Sequence, residues 1–155
     1  MTRSGFNPSV PPNATGCSEC LSAEGWWLHL RRCAQCGHVG CCDSSPAQHA
    51  SRHARASGHP VAQSFEPGED WCWDYVTEEF CEGPSLAEPR HHPLDQPTPG
   101  PAGRVPADWQ AHLNYAHGLK EPAARLSSTS PLAYQRFPLG RCMALPRSVW
   151  TGATP

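Results

Sequence analysis

The chain has 155 residues, 12 of them Lys or Arg and 14 Asp or Glu, with nine His, nine Cys and 18 Pro. A formal net charge of −2 argues against a protein that grips a phosphate backbone, since such proteins carry a basic excess, and no run of about 18 apolar residues is present to span a membrane. The length suits one domain with tails, and clustered Cys without an apolar secretory leader point to the cytoplasm, where thiols stay reduced and bind metal.

In chain order, residues 1–14 read as a flexible arm. A compact module follows over 15–82, because eight of the nine cysteines fall between Cys17 and Cys81, together with His29, His38, His49, His53 and His59. Around Trp26 and Trp27 the pattern is a strand, so at least one of these neighbours points into the core, and His29, alternating with Leu28 and Leu30, faces solvent. Ser45, Pro46 and Gln48 read as a capping box opening a helix over 47–56 that ends near Gly58. On that helix His49 and His53 lie one turn apart on one face. Glu66, Glu69 and Asp70 read as a solvated turn around Pro67 and Gly68. Trp71, Trp73 and Tyr75 alternate, which in a strand gives them a common face. Residues 83–155 hold 12 of the 18 prolines and read as a mostly disordered tail, with a short helix at 107–117 carrying Trp109 and Leu113 on one side.

A module of this size is hard to stabilise by apolar burial alone. Structural zinc supplies about 10–16 kcal/mol in small peptides, as much as the ~5–15 kcal/mol net stability of a whole domain. The donors for it are present. Cys17 and Cys20 form one C-x-x-C pair, Cys33 and Cys36 a second, and Cys41, Cys42, His49, His53 and His59 follow. That is enough for two closed tetrahedral sites. Spacing alone leaves two arrangements open: His49 and His53 on one ion, as in a simple finger, or split between two neighbouring ions.

The run from Trp27 through Cys33-Ala34-Gln35-Cys36-Gly37-His38-Val39-Gly40-Cys41, then His49, His53, Ser57-Gly58-His59-Pro60 and Glu66-Pro67-Gly68-Glu69-Asp70-Trp71, resembles the UBP-type zinc finger. That family occurs in ubiquitin-specific proteases and a cytoplasmic deacetylase, and the version here is similar to its stand-alone bacterial members. The resemblance implies a small α+β fold, a twisted antiparallel sheet with one or two helices. It implies an interleaved set of ligands, Cys17, Cys20, Cys41 and His49 around one structural Zn2+ and Cys33, Cys36, His53 and His59 around a second. Cys41 rather than its neighbour Cys42 matches the family's spacing after Cys36. Some members hold a third ion at the position of Cys72, but Tyr75 stands where a further cysteine is needed, so no third ion is expected.

The same resemblance implies a protein- or peptide-binding module, including recognition of a free C-terminal tail in an aromatic pocket, here Trp27, Trp71, Trp73 and Tyr75. The family's carboxylate-binding arginine is replaced by Asp43, which repels a carboxylate. Two other readings compete. A zinc or thiol enzyme needs an open metal position or an activated thiol, and eight ligands on two ions leave none open. A nucleic-acid finger needs a cationic footprint, and the helix offers only Arg52 and Arg55. The expectation is therefore a non-catalytic module that binds neither nucleic acid nor membrane.

Overall fold

The computed structural model describes residues 5–114. A five-residue helix α1 (Ser18–Ser22) precedes strand β1 (Leu30–Cys33) and strand β2 (Val39–Cys41). Helix α2 (His49–Ser57) leads to β3 (Val61–Ser64), β4 (Cys72–Asp74) and β5 (Glu79–Cys81), and a 3-10 turn (Trp109–His112) comes last. The strands form one antiparallel sheet in the order β2-β1-β3-β4-β5. This is the expected small α+β fold. No helix among the described residues is long and apolar enough to cross a membrane.

Helix α2 packs on the sheet where β2 carries Gly40. A Cβ there would lie 2.7 Å from the backbone nitrogen of Ala50, so the helix axis can approach only over a glycine. The helix starts at His49, not two residues earlier, and Gln48 precedes it in a left-handed conformation with no side-chain cap. The expected capping box does not form because its members are bonded elsewhere. Fully buried Ser45 accepts the Leu28 N–H at 2.9 Å, and Gln48 donates to the Asp43 carbonyl at 2.9 Å. The stop is as expected, Gly58 at φ 72°.

Every residue of β1 is buried, and its two arginines diverge because neighbours in a strand point to opposite faces. The Arg31 guanidinium carbon lies 4.5 Å from the centre of the Trp71 ring. Arg32, with no exposed surface, crosses to the other face and donates to the carbonyls of Ala87 at 2.7 Å and Pro89 at 3.2 Å, and also to that of Val10. One guanidinium thus ties the interior strand β1 to both flanking segments.

Those segments are not loose where the structure describes them. In the arm, Phe6 packs against the cluster of Ala34, Val61, Cys72 and Leu86, and the Asn7 N–H donates to the Ala34 carbonyl. Asn13 spans the β1–β2 turn, its N–H donating to Gly37 O at 2.9 Å and its side chain accepting from Val39 N–H at 2.8 Å. In the expected tail, residues 83–101 form a strap over the sheet, with Leu86 and His92 buried. The expected helix at 107–117 is reduced to the 3-10 turn, and its last three residues, like Cys142, lie outside the described residues.

Glu66 is the latch of this strap, not a solvated turn residue. It is buried, accepts the Leu30 N–H at 2.8 Å, and takes His92 Nε2 at 3.0 Å and the Thr98 hydroxyl at 3.2 Å. His29 also approaches it, at 3.6 Å, so this histidine does not simply face solvent. Burial works to raise the Glu66 carboxyl, but nearby His29 and the hydrogen bonds of His92 and the Leu30 N–H hold it well below its usual 4.5. Burial lowers the His92 imidazole, but the Glu66 hydrogen bond, the Pro93 carbonyl and the Glu66 charge together more than offset this, so His92 is raised above 6.5. Stability from a depressed carboxyl is present above its unfolded value and lost as pH falls through the folded one. Stability from a raised imidazole is present below 6.5 and lost as pH rises through the folded value. The strap should be most secure between these limits. Exchange protection of the Gly100 amide, corrected for intrinsic rates, should fall as pH rises from 6.5 to 8 and should lose that slope in His92→Gln. A flat profile in the native chain would contradict the latch.

Candidate metal centres

The first group of donors collects at the β2 edge of the sheet. Cys17 precedes α1 and Cys20 lies within it, Cys41 ends β2, and His49 opens α2. The Nδ1 atom of His49 lies 3.2 Å from Cys17 Sγ, 3.4 Å from Cys20 Sγ and 3.5 Å from Cys41 Sγ. The second group joins Cys33, the last residue of β1, and Cys36 of the β1–β2 turn to His53 in mid-helix and His59 in the exit loop. Cys36 Sγ is 3.2 Å from His53 Nε2, and Cys33 Sγ is 3.7 Å from His59 Nδ1. Within each group all four donor atoms lie within 4.8 Å of one another. A tetrahedral zinc with bonds of about 2.3 Å to sulfur and 2.05 Å to nitrogen sets its ligands about 3.6 Å apart, sulfur to nitrogen. Both groups fit that spacing.

The two histidines one turn apart on α2 therefore join different groups, and the two C-x-x-C pairs are likewise divided. The tight second pair depends on Gly37 at φ +76°, where a Cβ would lie 2.1 Å from the Pro11 carbonyl oxygen. Its amide donates to the Cys33 carbonyl at 3.0 Å. His49 N–H donates to Cys41 Sγ at 3.3 Å, a contact that favours a thiolate there. As thiols, Cys20, Cys33 and Cys41 resist ionisation, whereas hydrogen bonds with Cys20 and Cys41 hold Cys17 well below the usual thiol range. The hydrogen bond with Cys17 foremost pushes Cys20 up to about 12, and burial pushes Cys33 up to about 11. A divalent cation reverses that preference, and its binding releases protons.

His38 stands outside both groups. Its ring stacks on His53 at 4.1 Å and its Nε2 meets Glu19 Oε1 at 2.5 Å, so it braces a ligand-bearing ring. No donor spacing in the sequence marks that role.

Cys42 points away from the first group, with Sγ 3.3 Å from Ser45 Oγ in the core. Serine in its place can keep a bond to Ser45, so Cys42→Ser should cost only about 1 kcal/mol and leave the metal content unchanged. Thermal melts with zinc analysis check this, and loss of one zinc per chain would make Cys42 a ligand.

The aromatic residues divide. Trp27 is buried in the cluster of Cys17, Cys20, Leu30 and Phe65, and Gly100 closes over it, exchanging backbone bonds of 2.7 and 3.0 Å. Its ring is not an open wall. Trp71 and Trp73 are half-buried and both meet Phe80 edge-on, at 5.5 and 5.1 Å. Phe80, half of it exposed, completes an aromatic face that the sequence pattern did not include. Half-buried Tyr75 follows β4, with its N–H on Pro60 O at 2.9 Å. Asp43 is buried.

The zf-UBP profile, a "Zn-finger in ubiquitin-hydrolases and other protein", matches residues 17–86. Among solved structures the chain is similar to the solution NMR structure of protein RPA1320 from Rhodopseudomonas palustris, at 46% identity over 59% of this chain and 85% of that one, with a TM-score of 0.46. No curated protein matches. Zinc binding is supported by both the profile and the two donor groups. Through residues 17–86 this chain belongs to the zf-UBP family of zinc fingers.

Proposed function

We propose that the chain is a non-catalytic, cytoplasmic two-zinc module that binds a protein or peptide segment across the aromatic face of its sheet. Cys17, Cys20, Cys41 and His49 hold one Zn2+, and Cys33, Cys36, His53 and His59 the other. The folding unit is the 15–82 module together with the arm and strap that Arg32 ties to it. The carrying observation is that each group supplies four nitrogen or sulfur donors at zinc spacing, which fills a tetrahedral site and leaves no position for water or substrate. The zinc is then structural, and function passes to the surface. Thiolate ligands suit a reducing compartment. The two arginines of α2, Arg52 and Arg55, fall short of a phosphate footprint.

Trp71, Trp73 and Phe80 supply the binding face, with Tyr75 beside it. Edge-on aromatic clusters with exposed ring surface suit an extended backbone laid across them. Arg31 braces Trp71 from within. It is only 3% exposed and donates to Leu30 O and Ser64 Oγ, so it orients the ring and does not clamp a carboxylate in solution. A segment bound through side chains and backbone is favoured over one anchored by a free terminal carboxylate.

The test uses the zinc-loaded full chain as bait for a displayed random-peptide library, with Gly-Gly-ended peptides, free and amidated, titrated separately by NMR. Recovered peptides should shift the Trp71 and Trp73 indole signals and should lose at least about tenfold in affinity on Trp73→Ala or Phe80→Ala, a cost of ~1.4 kcal/mol or more. A library without binders, or binders indifferent to both substitutions, would overturn the reading. Binding that requires a free Gly-Gly carboxylate would restore tail recognition.

A further inference from the structure

We propose that Cys72 and Cys81 are a redox pair that closes to an intramolecular disulfide across the β4–β5 ladder, with a small-molecule disulfide such as glutathione disulfide as oxidant. The two residues are directly paired in the antiparallel register. Residues so paired have Cα atoms about 4.5 or 5.5 Å apart, depending on the rung, and both values fall within the ~4.4–6.8 Å that a disulfide spans. Their side chains leave the same face of the sheet. Neither belongs to a metal group, and no third group of metal donors occurs among the described residues.

Access is built in on one side. Cys72 is 4% exposed, whereas Cys81 is half-buried and lines a surface hollow of about 450 Å³ with Phe6, Val61, Asp74 and Glu82. Exchange therefore begins at Cys81. Its thiolate attacks one sulfur of glutathione disulfide, the S–S bond breaks, and one glutathione leaves as a thiolate that takes up a proton. The Cys72 sulfur then attacks Cys81 in the mixed disulfide and expels the second glutathione, to which the Cys72 proton passes. Two protein thiols are oxidised and one disulfide is reduced to two thiols.

The bond would act where the sheet is least supported. β5 is an edge strand held by β4 alone, and the next rung is Trp73 with Phe80. Closing Cys72 to Cys81 fixes the strand that carries Phe80 against Trp73.

The full-length, zinc-loaded chain is equilibrated in glutathione buffers of rising oxidised fraction, alkylated, digested and mapped by mass, with zinc measured on the same samples. The expected product is a Cys72–Cys81 linked peptide that accumulates while zinc is retained, unchanged in Cys142→Ser. In Cys72→Ser, Cys81 should instead keep a glutathione adduct. Both thiols remaining alkylatable in fully oxidised buffer would overturn the proposal. So would a Cys81 adduct that never resolves in the native chain, or oxidation that first links metal-group cysteines with loss of zinc. The map of the native chain decides the matter even if Cys72→Ser does not fold, and its zinc content separates this failure from failure of the two-zinc reading.

Discussion

Replacing Cys41 with serine should unfold the module, whereas the same change one residue later should hardly be felt. Cys41 has no exposed surface and faces His49 Nδ1 across 3.5 Å. A serine there is too short and too weak a ligand to complete the first site. Structural zinc contributes about 10–16 kcal/mol, and a domain's net stability is about 5–15 kcal/mol. Losing one of two such sites removes a stabilisation comparable with the whole. Cys41→Ser should bind at most one zinc per chain and lose its cooperative melt at 25 °C, read by far-UV circular dichroism with elemental analysis. Retention of two zinc ions and a native melt would show that Cys41 is a core thiol and no more.

The second large effect is expected at Arg32. This side chain has no exposed surface and serves the carbonyls of Val10, Ala87 and Pro89. Burial lowers its pKa, countered in part by the charges of Glu88 and Cys33, and the three carbonyls accept hydrogen bonds from the buried guanidinium. Hydrogen bonds to a charged group are worth about 1.5–3 kcal/mol each, and a buried carbonyl left without a donor costs about 1–3 kcal/mol. Such terms are not additive, and Arg32→Ala should destabilise by about 3–5 kcal/mol. At about 4–8 °C per kcal/mol for a domain of this size, the melting point should fall by more than ~10 °C. Arg32→Lys should recover little, since an ammonium lacks the planar fork that reaches carbonyls on two segments. Zinc content should be unchanged, which separates this loss from that of Cys41→Ser. A fall of less than about 1 kcal/mol would mean that arm and strap fold independently of the strand.

These two residues show what was legible in the sequence. The donors of both groups could be found because metal chemistry admits few residue types and the C-x-x-C spacing is local. Their division between groups could not be read from spacing, since His49 and His53 share a helix face whichever way they are assigned. That division came only through family resemblance, and the structure brings together the same two sets of four. Helix α2 was legible from the local signals between Ser45 and Gly58 and part of β4 from the alternation at Trp71–Tyr75, whereas the antiparallel sheet came through the family resemblance. The start of α2 was not, because Ser45 and Gln48 satisfy a local capping rule while their hydrogen bonds go to Leu28 and Asp43.

Long-range contacts account for the other differences. Glu66 looked solvated beside Pro67 and Gly68, but its partners Leu30, His92 and Thr98 lie 26 or more positions away. Trp27 looked like a pocket wall until Gly100 of a proline-rich segment closed over it. Proline content argues against a packed core, yet it does not prevent an extended strap from lying on one. Buried Leu86 and His92 and the three carbonyls taken by Arg32 show that strap and arm are ordered by the module, not by their own sequences.

All of this depends on two ions holding together a sheet with a small apolar interior. The most direct test is native mass spectrometry of the full chain before and after a strong chelator, with folding followed in parallel. Two zinc ions per chain, and collapse of the fold when both are removed, are the expected results. A chain that carries fewer than two ions while folded, or keeps its fold and its melting point without metal, would contradict the account.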